Sequence, residues 1–145
     1  MEDLLINVFS IGMLMSYDYY PMAAVMAGGM IPPFVIALSA TISKKRFVSR
    51  KEALMNYING ISFISEGAIP FIQKESQIIL PACCLSAGLA GALSMYFNCS
   101  IASPHGGLFL IWMVQNPISY LSLIVCSTLV GTILLILFTK LKKES

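Results

Sequence analysis

From Gln77 to Thr139 the chain carries no lysine, arginine, aspartate or glutamate, and His105 is the one side chain of that run that titrates near neutral pH. A water-soluble fold cannot leave so long a stretch without a charged face. Soluble domains carry about 25% charged residues, whereas this chain has 11%, with 57% hydrophobic residues and a mean hydropathy of +0.82. The expected class is an all-α, polytopic integral membrane protein.

The net charge of +2 says less than where the charges sit. Lys44, Lys45, Arg46, Arg50 and Lys51 form one basic cluster, and Lys140, Lys142 and Lys143 a second. Short basic loops stay on the cytoplasmic side, so segment 44–51 and the C-terminus are expected to face the cytoplasm. An even number of crossings must then separate Lys51 from Lys140. Neither cluster has interleaved aromatics, and apolar segments flank both, which argues against nucleic acid as a partner.

Leu4–Met15 is apolar but short for a span of roughly 20 residues. Tyr17-Asp18-Tyr19-Tyr20-Pro21 reads as an interfacial turn, with Asp18 solvated there. Met22–Ile42 has the length to cross, but Gly28-Gly29 and Pro32-Pro33 predict a kinked or interrupted helix. Leu54–Ile72 contains Asn56, Asn59, Ser62 and Glu66, too polar for a lipid-facing span. A re-entrant hairpin turning near Ser65–Pro70 is expected, with Gln73-Lys74-Glu75 returning it to the interface. Ile78–Cys99 is the clearest span, and its Ala87-x-x-x-Gly91 and Gly88-x-x-x-Ala92 spacings permit close helix packing. Ser103–Gly107 breaks the chain, Leu108–Val114 is too short to cross, and Ile118–Phe138 is the last span. Two crossings therefore lie between the basic clusters. Broken apolar segments with polar groups at depth are the pattern expected of a transporter.

Glu66 is the leading functional candidate. An ionisable group within a membrane segment costs roughly 2.5–3.5 kcal/mol and marks a functional site by default, and irregular backbone at that depth is tolerated only where it is buried in protein or lines a cavity. A carboxylate accepts hydrogen bonds from two sugar hydroxyls; the alternative is that it satisfies backbone N–H groups of its own hairpin or pairs with Lys74. His105, framed by Pro104 and Gly106-Gly107, is the second candidate, able to donate to or accept from a ligand at a cavity wall. Asn59, Ser62 and Ser65 are candidates to support Glu66. Cys83, Cys84, Cys99 and Cys126 lie in apolar segments without metal-ligand spacing, so free thiols are expected and no metal or cofactor. Nothing resembles a nucleophile–base arrangement or a phosphate loop.

Tyr20–Pro33, Ile64-Ser65-Glu66-Gly67-Ala68-Ile69-Pro70-Phe71 and Ser103-Pro104-His105-Gly106-Gly107 together resemble the fructose-specific enzyme IIC, the membrane permease of the bacterial phosphotransferase system. The resemblance runs from about Tyr20 to the C-terminus, and residues 1–145 look like the C-terminal portion of that permease domain. It implies a homodimeric carrier that binds fructose or a related hexose near the membrane midplane. The sugar would be phosphorylated by a phosphocysteine on the IIB partner, itself supplied through IIA. It also implies that Glu66 contacts the sugar and orients the hydroxyl to be phosphorylated, that His105 lines the cavity, and that an N-terminal permease part is needed. The rival expectation is a small accessory membrane protein, or an inactive remnant, with no solute pathway.

Overall fold

The computed structural model describes residues 20–43, 48–101 and 107–144. Among these, all regular structure is helical: α1 (Tyr20–Ser43), α2 (Arg50–Ile61), a 3-10 turn (Ser65–Ala68), α3 (Ile69–Lys74), α4 (Ser76–Tyr96), a second 3-10 segment (Gly107–Met113) and α5 (Pro117–Glu144). Within α1, α4 and α5, the stretches Tyr20–Ile42, Ser76–Tyr96 and Pro117–Lys142 are long and apolar enough to cross a membrane. Two of them, α4 and α5, lie between Lys51 and Lys140. The Gly107–Met113 segment, at about 2 Å rise per residue, spans only roughly 14 Å.

Helix α1 is the central element and packs against α4, α2 and α5. Its buried residues, Met22, Ala23, Met26, Ala27, Met30, Ile31, Val35, Ile36 and Ala37, supply much of the core. Of the kink or interruption expected at Gly28-Gly29 and Pro32-Pro33, an interruption is absent: α1 runs as one helix through both pairs. Pro32 and Pro33 lack the N–H groups that would reach the carbonyls of Gly28 and Gly29. Packing on several sides holds the helix together across that gap.

The glycines instead admit neighbours. A Cβ on Gly28 would lie 3.3 Å from the Ala87 carbonyl oxygen of α4, and one on Gly29 would meet the Phe63 ring at 2.6 Å. Gly91 faces the Ala24 carbonyl in the same way, while Gly88 faces open space. Of the two small-residue spacings in α4, Ala87-x-x-x-Gly91 is therefore the face that meets α1. Gly131 of α5 makes the third close approach, where a Cβ would stand 2.6 Å from both Ser86 Oγ and a Val35 methyl.

Some hydroxyls within the spans bond back onto their own helices, while those of Ser94, Tyr120, Ser127 and Thr128 are buried without a partner among the described residues. Ser86 donates to the Ala82 carbonyl (2.7 Å), Thr132 to Thr128 (2.8 Å) and Thr139 to Leu135 (2.7 Å), which removes their cost in an apolar setting. Large apolar side chains such as Leu85, Leu121, Val125, Leu129 and Ile133 point outward, as helices solvated by lipid tails require.

Helix α4 stops at Tyr96, three residues before the expected Cys99. Asn98 takes a left-handed backbone (φ 51°), its N–H bonding the Met95 carbonyl (3.1 Å) while the Cys99 N–H bonds that of Ser94 (2.9 Å). This paired closure ends helices at a glycine or asparagine. All four cysteines are free, Cys83 and Cys99 buried, Cys84 and Cys126 exposed.

Candidate functional site

Helix α2 begins with a reciprocal cap that its sequence, Ser49-x-x-Glu52, announces. The Ser49 N–H donates to Glu52 Oε2 (2.6 Å) and the Glu52 N–H to Ser49 Oγ (3.3 Å). The Ser49 backbone N–H, and after it the Ser49 side chain, hold the Glu52 carboxyl below its ordinary pKa, with a small further contribution from Lys74. The inner face of α2 is Ala53, Asn56 and Gly60. Gly60 lies against the Phe34 ring of α1, where a Cβ would be 2.9 Å from three ring carbons.

After Ile61 the chain turns. The Ser62 N–H bonds the Ile58 carbonyl (3.0 Å), that of Phe63 bonds Gly60 (3.3 Å) and that of Ile64 bonds Asn59 (2.7 Å). Phe63 sits at φ 62°. For a bulky L-residue this left-handed conformation is an outlier costing about 1–3 kcal/mol, tolerated where surroundings enforce it. The 3-10 turn Ser65–Ala68 follows, and Pro70 in the first turn of α3 restarts a regular helix, where its missing N–H is harmless. α3 ends at Lys74, and Glu75 (φ −141°, ψ 55°) separates it from α4.

The two arms return to one level. Val48, just before α2, and Phe71 of α3 line the same crevice as Ile36, Ser39 and Leu135. Lys142 of α5 bridges to Glu75 at 3.3 Å, tying the end of the returning arm to the last span. The turn at the other end lies beside Gly29 of α1 and Gly107. At 1.5 Å per residue, Gly29 is roughly 14 Å from the Tyr20 end of α1 and roughly 21 Å from the Ser43 end.

Glu66 occupies the second position of the 3-10 turn, exposed on this chain. Among the described residues its carboxylate takes no hydrogen bond and no ion pair; Lys74 instead lies 5.5 Å from the Phe71 ring centre. Asn59 is half-buried, and its amide rests on Gly67 so closely that a Cβ there would collide with it. Asn59 and Glu66 thus belong to one loop. Ser62 is half-buried and Ser65 exposed, both in that loop. His105 lies outside the described residues, as do Asp18, Lys44, Lys45 and Arg46. Gly107, which closes the Ser103–Gly107 motif, is described: it is buried at φ 56° and packs on the Ile61 carbonyl and the Phe63 backbone. Among the described residues no cluster of three or more His, Cys, Asp or Glu could hold a metal.

Gly67 stands in the motif that flanks Glu66, but Phe63 carries no mark in the sequence. Nothing in periodicity marks an aromatic with a left-handed backbone. The available signal was the glycine excess at positions 29 and 107, each too tight for a side chain against Phe63.

No family model matches the chain, and no solved structure matches it. Curated proteins do. It is 41% identical over 126 residues to the PTS system fructose-specific EIIB'BC component of Vibrio cholerae, covering 86% of this chain and 22% of that protein. It is 38% identical over 138 residues to the fructose permease IIC component of Bacillus amyloliquefaciens, covering 94% and 45%. With the PTS system fructose-specific EIIC component of Haloferax volcanii it shares 33% over 129 residues, covering 88% and 34%. The chain thus spans less than half the length of each of these relatives. Over most of its own length, three membrane-capable helices included, the chain is similar to fructose-specific IIC components of the phosphotransferase system.

Proposed function

We propose that this chain is the C-terminal, sugar-contacting portion of a fructose-type phosphotransferase permease, with Glu66 as the residue that grips the sugar. The observation that carries the reading is the Glu66 carboxylate, presented on the turn between α2 and α3 without a described partner. A carboxylate with open acceptor positions binds two neighbouring hydroxyls, and hydrogen bonds to a charged group contribute about 1.5–3 kcal/mol each. Asn59 steadies the loop from behind, and His105 contributes a donor or acceptor from the motif that Gly107 closes. Ser62 and Ser65, in the same loop, support Glu66.

In this reading Arg50–Lys74 is a re-entrant hairpin, entering and leaving on the side of the basic clusters. The level shared by Val48 and Phe71 and the depth of Gly29 along α1 support it. Lys51 and Lys140 then both face the cytoplasm of the inner membrane, with α4 and α5 as the two intervening crossings. The sugar held at Glu66 is presented to a IIB partner charged through IIA, a division of labour that the fused B and C, or A, B and C, components named among the relatives support. The remaining permease spans come from another polypeptide or another segment, and the working carrier is a homodimer. Fructose binding and uptake by membranes containing the chain with those spans, compared with Glu66→Gln, test the reading. The expected result is an affinity lower by a factor of about ten to a hundred. Equal affinity in both would overturn the site, and no fructose binding by either would favour an accessory or inactive chain.

A further inference from the structure

Glu66 makes no described side-chain bond, so the direction of its carboxylate is set by its backbone, and that backbone is clamped at two points. The first is Gly67, lodged under the Asn59 amide. The second is Phe63, whose ring fills the space opposite Gly29 and whose N–H side is met by Gly107, where a Cβ would stand 2.9 Å from Phe63 N. Three segments far apart in sequence therefore meet at this one aromatic: the glycine pair of α1, the α2–α3 turn and the end of the Ser103–Gly107 motif. The left-handed backbone of Phe63 persists because both sides of the residue are occupied. From the Glu66 site proposed above, on which this inference rests for its functional meaning, we propose that Phe63 is the positioning residue of the carboxylate: seated between Gly29 and Gly107, it fixes where Glu66 points and couples the loop to α1.

The proposal separates position from sugar chemistry, so it is tested on both. In full-length chain in membranes carrying Glu66→Cys, the rate of maleimide labelling at position 66 is measured by peptide-resolved mass spectrometry, with Lys140→Cys at the exposed basic end of α5 as internal reference. Gly29→Ala, which drives a methyl into the Phe63 ring, is expected to change labelling at position 66 several-fold while leaving position 140 unchanged. The same substitution made together with Phe63→Ala should have no further effect, because the ring it displaces is gone. A merely structural glycine would not show that dependence. Should Gly29→Ala fail to accumulate, Phe63→Gly removes the ring while leaving the left-handed backbone easy, and is expected to shift labelling alike. With Glu66 intact, Gly29→Ala should weaken fructose binding about tenfold, beside Glu66→Gln as the control for the site itself. Labelling that shifts while neither Gly29→Ala nor Glu66→Gln alters affinity would defeat the sugar site and leave the positioning role standing. Labelling at position 66 indifferent to both Gly29→Ala and Phe63→Gly would overturn the proposal, whatever the sugar result. So would a Gly29→Ala effect that persists without the Phe63 ring.

Discussion

Helices α4 and α5 and the α2–α3 hairpin use polar groups in opposite ways. In α4 and α5, Ser86, Thr132 and Thr139 turn their hydroxyls onto their own helix, and the helices approach through Ala87 and Gly131. In the hairpin, Asn59 is pressed against the loop and Glu66 projects from it. The first arrangement turns these three hydroxyls onto their own backbone, beside the hydroxyls of Ser94, Tyr120, Ser127 and Thr128, which are buried and unpaired among the described residues. The second spends backbone strain at Phe63 to present a charge. A substitution should therefore act on stability in one region and on ligand in the other.

The largest expected effect tests the hairpin. Glu66→Gln should weaken fructose binding by about 1.5–3 kcal/mol yet leave thermal unfolding in detergent unchanged, because no described group depends on that carboxylate; a clear loss of stability would erase the contrast. Next, Gly131→Val forces a branched side chain onto Ser86 and Val35 and should cost about 1–3 kcal/mol of stability by overpacking, read from the midpoint of the same unfolding curve. Ser49→Ala removes the cap of α2 and should cost about 1 kcal/mol, seen as faster hydrogen exchange over Arg50–Ala53 with α4 and α5 unaffected.

That cap also has a pH signature. The folded pKa of Glu52 lies below the ordinary value of 4.5, so its contribution is complete above that value and is lost as pH falls through the lower folded one. Protection of the amides at the start of α2, relative to their intrinsic exchange at each pH, should fall on acidification in the parent chain and lose that dependence in Glu52→Gln, whereas Ser49→Ala keeps the backbone N–H bond and most of the dependence. The smallest effect belongs to Lys142→Ala. The exposed Lys142–Glu75 bridge should contribute only about 0–1 kcal/mol, and a midpoint shift that vanishes at high salt would identify it.

The spans α4 and α5 were legible because a charge-free run of that length admits few alternatives. Their ends were less so: Cys99 looked like span, but Asn98 reverses the backbone before it. Helix α1 is continuous where the sequence allowed either a kink or a break, and the reason is instructive. Gly28-Gly29 and Pro32-Pro33 resemble breakers in isolation, and only the positions of Ala87 and Phe63 reveal that the glycines make room for neighbours. Glu66 was legible as a charge out of place, and the turn that carries it as a Gly- and Pro-flanked break. The clamp around it was not, since Gly29, Phe63 and Gly107 meet only in three dimensions.

Successive residues of a helix point about 100° apart, so Gly28 and Gly29 open two notches at nearly one height on different sides of α1, one filled by the α4 main chain and one by the Phe63 ring. Such a helix is keyed like a shaft with two slots. Spinning it by one residue would jam Ala27 or Met30 into a gap cut for a hydrogen atom. The two slots therefore oppose any rolling of α1 beneath a fixed α2–α3 loop, so that helix and loop travel together for as long as the Phe63 ring stays seated.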